Sequence, residues 1–389
     1  MLKKGCIIWG TALAGFAAAI AFLVWFKNVP GVPGLLEWHS DIKMITGAFT
    51  VMLFVIPVFL VLALFFLNRK KLCSRIFSSV SIFISAVTFI GGCGLIIFCV
   101  STGNRMTKDY TKMENLLVQS DIKKLERVAF SSDPHWNNED SNKTERSKII
   151  TSVGTGKSDA FFCLGDISDW GDTKDGYEEP VKELNAGLAG TPFFSVMGNH
   201  DALISAYPIF NKIFYGVKNA PRYFRMDYDD VHFLVLDLLW GDEEFGKKEK
   251  AWLIEQLEEI PEEEKVIVIS HGFYISSGYT DTNYNKNWYD IPSMIENLCP
   301  IFEKYNVDLV ISGHNHLMEL LEKNGVTYVV IGSMGGILDS LEYKSPYSVW
   351  LNNRAFGYMD MNLSTEGKID FTFLDSDGNF LYSYEVQTE

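Results

Sequence analysis

Negative charge is almost missing from the front of this chain. Its 389 residues carry a formal net charge of −15, yet the first 105 hold only Glu37 and Asp41 as acids against nine lysines and arginines, a local sum of +7 that leaves −22 for the remainder. Charge of either sign is missing from three runs: residues 6–26 (CIIWGTALAGFAAAIAFLVWF), 44–67 and 76–100. A helix needs about 20 apolar residues to cross the hydrocarbon core of a bilayer, and each run exceeds that. These absences argue against a chain that is soluble throughout. They predict a membrane module over residues 1–105 with three transmembrane helices, about 6–26, 44–67 and 76–100. A cleaved signal peptide is the plainer reading of the first run, because Lys3 and Lys4 precede an Ala-rich stretch; the run is longer than a usual signal core, however, and two more follow it. No charge inside the spans marks an ion or substrate path, so their expected role is to anchor.

Other scarcities narrow the remainder. Of six cysteines only Cys163 and Cys299 lie beyond the module, in FFCLG and NLCPI contexts that suggest buried thiols and leave the compartment open. A part summing to −22 has no basic groove for a phosphate backbone, so nucleic acid is not expected as a partner. There is no internal repeat and no low-complexity segment. Orientation follows from the basic residues: Lys3, Lys4, Arg69, Lys70, Lys71 and Arg75 fall on one side, Lys27, Lys43, Arg105, Lys108 and Lys112 on the other. The dense NRKKLCSR turn places the amino terminus in the cytoplasm, which makes the chain a multi-pass cell-membrane protein with everything after residue 105 extracytoplasmic.

What is present after a polar tether (106–126) is a series of short apolar runs. Strands are expected at 127–132, 160–165, 192–198, 223–237 (a hairpin turning at Asp229 and Asp230), 265–270, 307–312 and 326–332, with helical patterns between several of them. One such helix is KKEKAWLIEQLEEI, whose Leu253, Leu257 and Ile260 share a face. Strands apolar on nearly every residue imply sheets covered on both faces, hence an α/β layered fold. The tail, with Thr-Glu-Gly and Asp-Ser-Asp-Gly turns, should close the domain with antiparallel strands.

Polar residues recur where these strands end. SDPHW supplies Asp133 and His135, GDISDWG supplies Asp166 and Asp169, and GNHD supplies Asn199, His200 and Asp201. His271 follows the strand at 265–270, and GHNH supplies His314 and His316, whose spacing turns both side chains the same way. Each has a plain explanation alone, since turns favour Asp and Asn, and a histidine can be a satisfied core residue. Five of the chain's seven histidines at strand ends are harder to explain so. Mixed carboxylate, imidazole and amide donors suit Mn, Fe, Zn or Co better than Ca or Mg.

The order DxH, GDxxDxG, GNHD, H, GHxH resembles the calcineurin-like metallophosphoesterase superfamily over residues 126–340. The resemblance implies a layered metallophosphoesterase-type β-sandwich flanked by helices, occupying 127–389, and hydrolysis of a phosphomonoester or phosphodiester. It implies two divalent ions, one on Asp133, His135 and His316, the other on Asn199, His271 and His314, with Asp166 bridging; together they activate a hydroxide for in-line attack. His200 would be the acid for the leaving oxygen, oriented and charged by Asp169, with Asp201 closing the turn. Purple acid phosphatases have Tyr where this chain has Asp169, although NGVTYVVIGSMGG looks like theirs. Ser/Thr phosphatases have an Arg clamp where Trp170 stands, which leaves room for a diester or a bulky substrate. Cyclic-nucleotide phosphodiesterases share the GDxxDxG and GNHD forms. Trp136, Trp170, Phe273, Tyr274 and Tyr279 are candidates to stack on a base or line a lipid-facing mouth, Trp170 and Trp136 foremost; packing of the loop bases is the commoner role for such residues. A nucleotide or a lipid-linked phosphate is the expected substrate, and an inactive receptor domain on a membrane anchor is the alternative.

Overall fold

A computed structural model describes residues 40–67, 72–110, 125–169, 176–201, 207–216, 220–221, 223–237, 247–281, 286–287, 292–363 and 368–386. The chain divides into two compact units, Met1–Arg105 and Met106–Glu389. The first contains the helix Ser40–Leu67 and most of the helix Leu72–Tyr110. Between them the Ser78 hydroxyl donates to the Ala63 carbonyl at 3.1 Å. Ser74, Ser78, Ser81 and Ser85 recur at helical spacing and are buried, while Ile76, Val80, Phe83, Val87 and Ile90 stand exposed. The second helix thus turns a stripe of serines inward and apolar side chains outward.

The expectation of three membrane spans is reduced here. Residues 6–26 lie outside the described residues. Among the described residues one stretch, Ser74–Gly94, is long and apolar enough to cross a membrane, and Ile56–Leu67 is a shorter apolar stretch. At 1.5 Å per residue the shorter one covers roughly 18 Å, against about 30 Å of hydrocarbon. The expected tether falls largely outside the described residues; 106–110 continue the second helix.

The second unit is built on two sheets. Strands β1 (Arg127–Ser131), β2 (Ala160–Cys163) and β3 (Phe193–Ser195) run parallel, and β13 (Gly357–Leu363), β14 (Ile369–Asp375) and β15 (Phe380–Glu385) extend them antiparallel in the order β15-β14-β13-β1-β2-β3. The other sheet comprises β4 (Phe224–Tyr228), β5 (Val231–Val235), β6 (Lys265–Ile269), β9 (Leu309–Ser312), β10 (Met318–Lys323), β11 (Val326–Ile331) and β12 (Ser348–Asn352), ordered β12-β10-β11-β9-β6-β5-β4. A two-stranded ribbon, β7 (Thr280–Asp281) and β8 (Lys286–Asn287), stands apart.

Alternation along the strands decides the layers. Val128 and Phe130 of β1, Ala160 and Phe162 of β2, Phe233 of β5 and Ile267 of β6 enter one core shared by both sheets. Ala129, Phe161 and Cys163 point the other way, onto Ile149, Ile150, Val181 and Leu184 of the helices Lys143–Thr155 and Glu178–Gly187. Strands buried on both faces leave polar side chains only their ends, so chemistry collects at the carboxyl ends of β1, β2, β3, β6 and β9.

Candidate metal centre

The loops after β1 and β2 are paired as if the strands went on. The amides of Asp133, His135 and Trp136 donate to Gly165, Asp166 and Ile167 carbonyls at 3.2, 3.1 and 2.9 Å, and the Asp169 amide returns to Trp136 at 2.8 Å. This pairing goes with unusual backbone: Asp133, His135 and Asp166 sit at φ of 61°, 45° and 51°, and His314, after β9, at 69°. Left-handed residues other than glycine cost of order 1 kcal/mol each and persist where the surroundings over-determine them, commonly at functional sites. A Cβ on Gly198 would lie 2.2 Å from Asp166 Oδ1, so the GNHD turn packs against that carboxylate only because its first residue is glycine.

Seven predicted ligands converge. Asp133, His135 and His316 present donor atoms within 4.8 Å of one another, and so do Asp166, His271 and His314. Asn199 joins the second group through Oδ1, 2.9 Å from His271 Nε2. Asp166 lies between, its Oδ2 3.5 Å from His135 Nε2 and 3.4 Å from His271 Nε2.

The donor chemistry fits cations. His271 Nδ1 donates to the Leu164 carbonyl at 2.7 Å, which leaves a lone pair on Nε2, yet Nε2 faces the Asn199 oxygen. His316 Nδ1 donates to the Ile337 carbonyl at 2.7 Å and His135 Nδ1 to Asp169 Oδ1 at 2.9 Å, while their Nε2 atoms face each other at 3.1 Å. Lone pairs so opposed need a proton or a metal ion between them. About 3 Å is also how far neighbouring ligands stand apart around an ion with bonds of ~2.1 Å. Asp133 Oδ1 is buried without a hydrogen-bond partner, and the Nε2 atoms of His316, His135 and His271 surround it at 3.5, 3.8 and 3.9 Å.

Electrostatics tell the same story. Burial opposes charge on His135, but Asp133, Asp169 and Asp166 push it up to about 10. His271, under the same opposition, is pushed up to about 9 by Asp166 and Asp133. Burial would raise Asp133 and Asp166; the surrounding histidines hold both well below the usual carboxylate range instead.

His200 stands at the edge of this group. Its amide donates to Asp166 Oδ1 at 2.8 Å and its Nδ1 to the Asp169 carbonyl at 3.0 Å. The Asp169 carboxylate is 3.4 Å from His200 Nδ1 and closer, 2.9 Å, to His135. The residue expected to orient the acid thus grips His135 more tightly with its side chain and meets His200 with its backbone. Burial pulls His200 below the ordinary histidine value. Asp201 closes the turn: its carboxylate accepts from the amides of Ile167, Ser168 and Gly198 at 3.1, 3.2 and 3.1 Å and from the Tyr177 hydroxyl at 2.9 Å.

Trp136 is not at the mouth. It is fully buried, its indole donates to Glu183 Oε2 at 2.6 Å, and the Arg146 guanidinium covers its ring at 4.4 Å. That corrects the expectation of a ligand-stacking surface: the ring packs the base of the DPHW loop. Tyr274 and Phe273 are buried too, whereas Tyr279 is 39% exposed. Trp170 lies outside the described residues. Sequence reasoning missed the residues that hold the ligands from behind, chiefly Asp339, whose Oδ2 accepts from the His316 amide at 2.7 Å. The carbonyls of Leu164 and Ile337 have no side-chain signal that could have revealed them.

Residues 126–318 match a family model described as calcineurin-like phosphoesterase. Among solved structures, a purple acid phosphatase from seeds of yellow lupin (Lupinus luteus) aligns with a TM-score of 0.58 at 17% identity, over 68% of this chain but only 54% of that one. GAP50, the anchor in the inner membrane complex of Plasmodium, aligns with a TM-score of 0.53 at 18% identity, over 69% of this chain and 90% of that one. At such identities the likeness is one of fold. No curated protein matches the chain.

Proposed function

From a chain that belongs, through residues 126–318, to the calcineurin-like phosphoesterase family of metal-dependent phosphoesterases, we infer a hydrolase of phosphate esters that works with two divalent ions. The observation that carries the reading is the opposed set of nitrogen and oxygen lone pairs around Asp133 Oδ1 and Asp166. Asp133, His135 and His316 would hold one ion, Asn199, His271 and His314 the other, with Asp166 between them. When bound, such ions neutralise phosphate charge and supply a nucleophile from water at neutral pH.

The chain's own residues do the rest. Asp169 fixes the His135 ring through Nδ1, and the Leu164 and Ile337 carbonyls fix His271 and His316, so each presents Nε2. His200 keeps Nδ1–H on the Asp169 carbonyl, so in its imidazolium form it would give the Nε2 proton to the leaving oxygen and remain neutral. Trp170 is retained as a substrate contact. A purely non-catalytic receptor or interaction role is disfavoured by the full ligand set.

The polar interior and apolar exterior of the Ser74–Gly94 region support a membrane anchor, because lipid reverses the pattern that water imposes. We place the amino terminus in the cytoplasm and the enzyme domain outside.

Purified protein loaded with Mn, Fe or Zn should release phosphate or alcohol from a panel of monoesters, diesters, pyrophosphates and phospholipids, and Asp166→Asn should lose both activity and metal. Undiminished activity in that variant would refute the assignment. Replacing His316 should empty mainly the Asp133 and His135 position, and replacing His314 the Asn199 and His271 position, as metal counts per chain would show. Protease added to intact cells should remove the domain; complete protection would reverse the orientation.

A further inference from the structure

We propose that this site, on the phosphoesterase reading above, takes phosphate esters of aliphatic alcohols, with the alkyl part seated on an apolar rim that includes Tyr279, Ile337 and Leu341. Among the described residues of the second unit, the large apolar side chains standing exposed are Tyr279, Ile337, Leu341, Tyr347, Val349 and Phe380. All but Phe380 fall on two segments, at 279 and at 337–349. Those segments are sewn together. The Gly278 amide donates to the Tyr343 carbonyl at 3.0 Å, the amides of Glu342 and Tyr343 donate back to Gly278 at 2.9 Å, and the Tyr279 hydroxyl donates to Asp339 Oδ1 at 2.7 Å.

The rim borders the metal centre through shared groups. Ile337, 56% exposed, gives its carbonyl to His316 Nδ1, and Asp339, which receives Tyr279, also receives the His316 amide. One residue earlier, a Cβ on Gly336 would lie 2.6 Å from His316 Cε1, so the segment runs directly against that ring. The rim is also held rigid from beneath. Buried Glu319 accepts from the Ser277 amide at 2.7 Å and the Ser276 hydroxyl at 3.2 Å, and Asn315 Nδ2 donates to the same hydroxyl at 2.9 Å. Apolar side chains kept in water by a fixed framework mark a binding surface.

Charge and ring placement choose the occupant. Along 337–349 the charged residues are Asp339, Glu342 and Lys344, a small acidic excess that disfavours a leaving group with further phosphates. Of the described aromatic candidates for stacking a base, Trp136, Phe273 and Tyr274 are buried, which leaves Tyr279 beside the aliphatic Ile337 and Leu341. An alkyl chain gains from such a surface in proportion to the apolar area it covers, so each added methylene should count.

The test uses the full chain loaded with Mn²⁺ and measures kcat/KM for ethyl, butyl, hexyl and octyl phosphate, each below its micellar concentration, with AMP as comparator. The expected result is a rise of roughly two- to fourfold per added methylene, with octyl phosphate well above AMP. In the double variant Ile337→Asn/Leu341→Asn the octyl-to-ethyl ratio should fall at least tenfold, while Phe380→Asn, an exposed apolar residue elsewhere, keeps the wild-type ratio. Chain-length-independent turnover, a preference for AMP, or an unchanged ratio in the double variant would each overturn the alkyl rim and leave the phosphoesterase standing. No release from any ester would overturn the phosphoesterase reading, and this proposal with it.

Discussion

Replacing Asp201 by asparagine changes one atom and sets the two loops that carry Asp166 and Asn199 against each other. Asp201 Oδ2 accepts from the amides of Ile167 and Gly198, and Oδ1 from the Ser168 amide and the Tyr177 hydroxyl. All four partners are donors, a pattern that favours the carboxylate although burial and the Asp166 charge push the group up to about 7. An asparagine does best by keeping its oxygen at the Oδ2 position, where two amides are served. Its NH₂ then meets Ser168 N–H donor to donor, while the Tyr177 hydroxyl can turn and accept. The buried Ser168 amide thereby loses its carboxylate acceptor, a cost of about 1–3 kcal/mol. With a urea slope near 3 kcal/mol/M for a domain of this size, the midpoint should fall by roughly 0.3–1 M. Fluorescence is the natural assay, because Trp136 is buried in the same unit and its amide bonds to Ile167. Activity should fall more steeply than stability, since the displaced turn carries Asp166. An Asp201→Asn protein with an unchanged midpoint and full activity would refute the view that Asp201 holds these loops in register.

Metal uptake should release protons and tighten as pH rises. His271 and His135, raised to about 9 and about 10, hold protons in the metal-free site at neutral pH and must lose them to coordinate; calorimetry in buffers of different ionisation enthalpy between pH 6 and 9 measures this, and a pH-independent affinity would contradict it. Gly198→Ala places a Cβ 2.2 Å from Asp166 Oδ1 and 2.3 Å from its amide, so activity should drop at least tenfold, with about 1–3 kcal/mol lost in denaturation; wild-type kinetics would mean the turn has slack. Burial pushes the Cys163 thiol well above its ordinary value and Cys299 up to about 11. Both should therefore escape iodoacetamide at pH 8 until the chain is unfolded, as peptide mapping would show.

The site was far more legible than its supports. Strands at β1, β2, β6, β9 and β11 could be read because they are apolar on nearly every residue, and the polar cluster because His, Asp and Asn are out of place at the ends of such strands. Strand β10 escaped notice: MELLEK is made of good helix formers, and it is a strand because β11 and β12 pair with it on either side. Trp136 was misjudged because an aromatic residue beside a ligand looks the same in sequence whether it faces water or Arg146. The second role of Asp169 depends on a distance between two loops, 2.9 Å to one histidine and 3.4 Å to another, and no local pattern encodes that.

The three described imidazole anchors differ in kind. His271 and His316 are steered by main-chain oxygens, of Leu164 and Ile337, and His135 by the side chain of Asp169. A carbonyl survives every point mutation, whereas a carboxylate can be replaced by one codon change. At the proposed position of Asn199, His271 and His314, the anchor of His271 is therefore closed to substitution. The position shared by Asp133, His135 and His316 can be retuned at Asp169 without touching a ligand. If metal preference has drifted among proteins with this architecture, the drift should have entered through the first position and left the second as it was.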